Sequence, residues 1–225
     1  MTKFKASFIH LFFSVIVVGL LFSIIFFIWY PKPFFDILNV IEPIELLVFV
    51  DVILGPLLTL IIYKKGKKHL KLDISIIVAF QLMALIYGTY IIYNGRPSLM
   101  VLNNDKFYAL REKFANNNEL KYPELKPNIF SSPKYALINN FQDIDIYSAY
   151  AKFEPLNNFD QAIMPFSLTP ENMKSMFKSK VNEVEGLENK YKDADIVFYK
   201  LDFNSSLYYV VISKKHQSII DYLKF

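Results

Sequence analysis

Cysteine is absent from this chain of 225 residues, so neither a disulfide framework nor a thiolate metal site can be built. Glycine is scarce, with six residues in all. That argues against a phosphate-cradling loop, and no P-loop or glycine-rich dinucleotide turn occurs. Histidine is limited to His10, His69 and His216, which fall in an apolar run, a lysine-rich loop and the C-terminal region. No histidine cluster follows, and GxSxG and HExxH are missing as well. Acid pairs such as Asp143 and Asp145, or Glu183 and Glu185, read as solvated surface. From Arg96 onward, Lys plus Arg nearly balance Asp plus Glu, so no basic face for nucleic acid is indicated. These absences predict no enzyme, no cofactor, no metal and no nucleic-acid partner.

What the chain has in abundance is apolar sequence, at 53% of residues and a mean hydropathy of +0.26. It crowds into the first 93 residues, whereas nearly all Asn and most charges lie beyond. Two halves suited to two solvents are expected. Phe8 to Tyr30 holds no charged residue, and about 20 such residues span a hydrocarbon core as a helix. The run exceeds a signal-peptide core and ends in Trp29, Tyr30 and Pro31 without a small-x-small site, so it reads as an uncleaved span. Further spans are expected at about residues 44–63 and 74–93. Between them lie Lys64, Lys65, Lys67, Lys68 and Lys71. With Lys3 and Lys5, this cluster predicts a cytoplasmic N-terminus and three crossings, with everything after residue 95 outside. The cluster reads as an orientation signal drawn to anionic membrane lipids, or else as a docking site for a cytoplasmic protein.

The second span carries Asp51, whose burial in hydrocarbon is costly enough that it should face protein. Gly55-Pro56 follows one turn later. Proline removes a backbone donor, so a kink with the Val52 carbonyl set free is expected. Counting depth along the helices places Tyr87, beside the small Gly88, opposite Asp51, and Gln81 nearer Thr59. Asp51 reads as a clasp between the second and third helices, a proton relay, or a site that meets another protein's membrane helix.

Beyond Arg96-Pro97, Leu99 to Leu110 reads as a hairpin around Asn103-Asn104-Asp105. Residues 113–170 have weak periodicity, with a candidate strand at Lys134 to Ile138. Thr169 is an N-cap with Pro170 at the first helical position, and Met173, Met176, Phe177, Val181 and Val184 form an apolar face. Strands follow at Ile196 to Leu201, Ser206 to Ser213 and Ser218 to Lys224. The predicted fold is a three-helix α-helical membrane anchor (residues 1–95) followed by a small α+β extracytoplasmic domain with antiparallel strands (96–225).

The run Val50-Asp51-Val52-Ile53-Leu54-Gly55-Pro56-Leu57-Leu58-Thr59-Leu60, the lysine cluster, Leu72-Asp73, Gln81, Tyr87-Gly88 and Arg96-Pro97 together resemble the TfpX/TfpZ family of type IV pilin accessory proteins. The resemblance covers about a quarter of the chain. It implies a non-enzymatic helper in a bacterial inner membrane that binds a cognate major type IV pilin and stabilises or modulates pilus assembly. Asp51, Gly55, Pro56, Thr59, Gln81, Tyr87, Gly88 and Arg96 are then the candidates for helix packing or partner binding. The competing expectations are a membrane-bound pilin-modifying enzyme and a small sensor or transporter component.

Overall fold

The computed structural model describes residues 2–104, 106–115, 118–138, 146, 149–156, 167–203 and 206–224. Asp143 and Asp145 lie outside them, as do Asp105, Asn204 and Ser205. The chain divides into two compact units, Met1–Arg96 and Pro97–Phe225.

In the first unit, α1 (Lys3–Ile24) starts at Thr2, whose hydroxyl accepts the Lys5 N–H, and winds into a π turn over Ile25–Trp29. A short helix, α2 (Phe34–Ile37), lies in the connector. The second rod is composite: α3 (Ile41–Val48), a π segment (Phe49–Leu54) and α4 (Gly55–Ile62). The third, α5, runs from Leu70 to Gly95. Lys3–Trp29, Ile41–Ile62 and Leu70–Gly95 are each long and apolar enough to cross a bilayer, and their most apolar 18-residue stretches have mean hydropathies of 3.0, 2.3 and 1.9. At about 1.5 Å rise per residue each matches or exceeds a hydrocarbon core about 30 Å thick. Phe8, Phe12, Phe27, Ile61, Phe80 and Ile86 all lie exposed on the helix surfaces, an arrangement that suits lipid and not water. This is a membrane protein.

One end of the unit is tied by polar-tipped aromatics. The Tyr30 hydroxyl donates to the Ile92 carbonyl at 2.6 Å. The guanidinium of Arg96, itself 1% exposed, sits 4.2 Å from the Tyr93 ring centre and 6.0 Å from that of Trp29. Such stacking suits a guanidinium, which is weakly hydrated and planar.

The second unit is built on one sheet: β1 (Pro97–Asn103), β2 (Lys106–Arg111), β3 (Lys134–Ile138), β4 (Glu154–Pro155), β5 (Ile196–Phe203), β6 (Ser206–Ser213) and β7 (Ser218–Lys224). The spatial order is β4-β3-β1-β2-β5-β6-β7. The expected hairpins pair as read, β1 with β2 and β5 with β6 and then β7, all antiparallel. Two parallel pairings were not anticipated: β3 lies beside β1, and β5 beside β2. The first adds β3 and β4 to the β1–β2 hairpin, and the second joins these strands to the β5–β6–β7 meander in one sheet.

Strand alternation sorts the side chains onto two faces. Leu99, Val101, Leu110, Ala136 and Ile138 share a core with Leu120, Leu125, Tyr150 and Phe153. Further along the same face, Ile196, Phe198, Tyr209 and Val211 pack against Met173 and Val184. The register puts Met100, Leu102, Phe107, Leu137, Tyr199 and Val210 on the opposite face, all buried. That face is closed by curling. Tyr135 on β3 and Tyr222 on β7 share a hydrogen bond. Five strand spacings, about 24 Å in a flat sheet, separate their strands, so the sheet bends round to a half-open barrel.

The helix expected after Thr169 is broken in two. Thr169 caps α6 (Pro170–Met176), accepting the Asn172 N–H at 3.3 Å. The backbone then leaves helical geometry at Phe177, and after a 3₁₀ turn α7 (Val181–Lys190) begins. The break aims Phe177 edge-on at Tyr209, with ring centres 5.7 Å apart, and leaves Met176 on the surface. Met173 and Val184, on either side of the break, are both fully buried against the sheet.

Candidate functional site

The polar residues of the membrane unit converge near the middle of the second rod. There the backbone hydrogen bonds shift to i→i−5, so that the Gly55 N–H bonds the carbonyl of Val50. In that register the donor missing at Pro56 orphans the carbonyl of Asp51, not that of Val52 as α-helical spacing predicted. Gln81 of α5 repairs the loss, its Nε2 donating to the Asp51 carbonyl oxygen at 3.2 Å. Gly55 makes this possible: a Cβ there would collide with the Gln81 carboxamide. Pi-bulge, glycine, proline and glutamine form one device for bringing α5 against the second span. Lower on α5, Gly88 plays the same part, since a Cβ would meet the Leu47 side chain at 2.6 Å.

From the other side, α1 contributes two polar ties to α4. The Ser7 hydroxyl donates to the Pro56 carbonyl at 2.8 Å, and His10 Nδ1 lies 2.6 Å from the Thr59 hydroxyl. Neither Ser7 nor His10 was anticipated. The signal was available: Ser7, His10 and Ser14 are spaced three and four apart in an otherwise apolar run, which is one helix face.

The expected candidates thus divide. Asp51, Gly55, Pro56, Thr59 and Gln81 come together and are all buried. Tyr87 does not join them, being 67% exposed. The inward stripe of α5 is Ile77, Gln81, Gly88 and Ile92, and at about 100° per residue Tyr87 stands about 120° round from Gln81. Depth alone had paired Tyr87 with Asp51, and the angle overrules it. Arg96 is buried among aromatics at the end of α5, far along the helix from Asp51's partner Gln81. Lys64, Lys65, Lys67, Lys68 and Lys71 are exposed around a turn in which Gly66 takes φ +83°. Lys67 pairs with Asp73 at 2.7 Å.

Around this node the helices leave a cleft of about 380 Å³ between α1 and α5, floored by the second rod. Asp51, Gln81, Thr59, His10 and Ser14 supply its polar lining. The Gln81 carboxamide lies close to both the His10 ring and the Asp51 carboxyl. Even so, Asp51 Oδ2 and Gln81 Oε1 are buried without a well-formed hydrogen bond.

Residues 1–39, covering α1 and the turn after it, match the family described as fimbrial assembly protein FimB. A fimbrial assembly protein of serogroups C1 and C2 from Dichelobacter nodosus is 41% identical over 108 residues, 47% of this chain and 82% of that protein. The chain belongs to the fimbrial assembly protein family. Fimbrial assembly proteins of serogroups I and E1 from the same organism are 37% and 36% identical over 133 residues, 58% of this chain and 51% of each of theirs. The match thus spans about half the length of those two relatives. No solved structure matches the chain.

Proposed function

We propose that this fimbrial assembly protein is a non-enzymatic accessory factor of the TfpX/TfpZ kind, which binds a cognate type IV pilin in the bacterial inner membrane and stabilises or modulates its assembly into pili. The observation that carries this reading is the joining, in one chain, of a membrane unit whose buried polar node holds three spans together and a separate sheet domain with two packed faces. Such a chain can engage a membrane-anchored client at two levels. The lysine-rich turn and Lys3 and Lys5 support an orientation with the N-terminus in the cytoplasm and the sheet domain in the periplasm. The second unit would then meet the client's soluble part.

A clean deletion strain tests the proposal. Surface pili or pilin stability should fall and recover on complementation, and the cognate pilin should be captured by crosslinking in intact cells. Normal piliation with no pilin captured would refute it. An unchanged pilin mass in the deletion strain is expected as well, whereas a lost modification would favour a transferase.

A further inference from the structure

The cleft between α1 and α5 has a composition that selects its occupant. Its mouth is apolar and exposed: Phe13 and Val17 on α1, Val78 and Leu82 on α5. Its floor is polar and buried, Asp51 being 6% and Gln81 8% exposed. α1 and α5 pack against the second rod rather than along each other, which leaves the slot open sideways. Among the described residues, neither Asp51 Oδ2 nor Gln81 Oε1 has a well-formed hydrogen bond, although the His10 ring lies close to the Gln81 carboxamide. A buried acceptor left unmade costs about 1–3 kcal/mol, and hydrocarbon offers it nothing.

We infer that this cleft is a lateral docking site for the spanning helix of a client protein, recognised by an N–H or O–H donor that the helix brings to Asp51 and Gln81. Depth decides between possible occupants. Asp51 lies ten residues from Ile41 and eleven from Ile62, about 15 Å and 16 Å from the two ends of its span. A lipid's donors sit in its headgroup, about that far away, and an acyl chain has none. A protein helix can carry a donor at mid-depth on an otherwise apolar body. The volume fits one or two side chains entering the slot rather than a whole helix, so the client lies across the mouth and inserts its donor. This inference deepens the proposed pilin-binding function and rests on it.

The test places a photo-crosslinking amino acid at Val17 or Leu82 in the full chain, in native membranes, with Met83 on the opposite face of α5 as control. Adducts with one spanning protein should form at the two mouth positions at least about tenfold more than at Met83. Asp51→Leu should abolish them while the chain itself persists, because the change removes a carboxyl from an apolar medium. Asp51→Asn keeps an oxygen acceptor and should retain adducts within about threefold. Lipid adducts alone, adducts with a second copy of this chain, or adducts indifferent to Asp51→Leu would overturn the inference. Should Asp51→Leu deplete the chain, the adduct pattern of the unsubstituted cleft still decides. A spanning protein other than pilin captured at the mouth would sink the pilin reading and leave the cleft standing. Pilin captured only from the second unit would do the reverse.

Discussion

The buried serines of the sheet domain and the polar pair of the membrane unit sit in different settings. In the sheet domain, buried Ser98 donates to the Leu110 carbonyl at 3.2 Å, and buried Ser213 donates to Ala194 at 2.8 Å while accepting the His216 N–H. Both are closed inside the fold. In the membrane unit, Asp51 and Gln81 line the floor of a cleft, and Asp51 Oδ2 and Gln81 Oε1 are buried without a well-formed hydrogen bond. Water stabilises a soluble domain through apolar burial, so its core needs few polar groups and satisfies them. Helices in lipid gain nothing from burying leucine against leucine, so a membrane unit is held by close backbone approach and hydrogen bonds. The same groups that hold it together can then read a partner.

The largest effect should come from cutting the sheet domain's packed face. Phe198 is fully buried against α6 and the neighbouring strands, and Phe198→Ala should cost about 3–5 kcal/mol. Limited proteolysis of the detergent-solubilised full chain should show the second unit cleaved while the spans stay protected. Loss of both together would break the comparison, since the units would then not be separable in stability. Next comes Gly55→Ala, which displaces Gln81 and orphans the Asp51 carbonyl again, at about 1–3 kcal/mol. The decisive form is a double-mutant cycle. In a Gln81→Ala background the same methyl meets little, so Gly55→Ala should be nearly silent there. Equal costs in both backgrounds, read as chain abundance or detergent half-life, would show that Gln81 is not what Gly55 makes room for.

What the sequence revealed about each unit follows from the range of the forces involved. Hydropathy marks spans by local composition, and the three apolar runs correspond to the three rods. The hairpins β1–β2 and β5–β6–β7 were legible because their turns and alternation are local as well. The parallel joins β1–β3 and β2–β5 bridge residues 35 and 94 positions apart, where no periodic signal reaches. At the node, Asp51, Gly55, Pro56, Thr59 and Gln81 could be picked out because a polar or helix-breaking residue in a span is expensive. Their pairing could not, since it depends on helix rotation. The π segment moved the orphaned carbonyl by one residue, from Val52 to Asp51, and rotation removed Tyr87 from the site.

The closed character of the sheet domain can be sharpened at its seam. Tyr222→Phe removes a hydrogen bond to Tyr135 that helps hold the curled sheet, and should cost about 1 kcal/mol in denaturant unfolding. Burial pushes both phenols above their ordinary value of 10.0, with the neighbouring Tyr135 adding to the effect on Tyr222. A group held protonated by the fold contributes its full stability below its unfolded pKa and loses it as pH rises. Alkaline titration should therefore show Tyr135 and Tyr222 ionising only as the domain opens, with Tyr209 also late because of its burial. If every tyrosine titrates near pH 10 in the folded chain, the seam is wet.

The smallest effect belongs to an exposed counterpart on the same strand. Burial alone would push the Asp221 carboxyl up. Lys190 at 2.9 Å, the Tyr222 N–H and the Tyr191 hydroxyl at 3.1 Å outweigh it and hold the carboxyl below its ordinary value of 3.8. A depressed carboxyl stabilises the fold above its unfolded pKa, and that contribution disappears as pH falls through the folded value. The tie between α7 and β7 should thus be intact at neutral pH and lost below about pH 4. Lys190 and Asp221 are 60% and 30% exposed, so water and salt screen the pair and the loss is small. Asp221→Asn should remove the acid-dependent part of the domain's unfolding midpoint and leave the neutral-pH value almost unchanged. A large drop at pH 7 would mean that this surface tie, and not the packed faces, is what keeps α7 on the sheet.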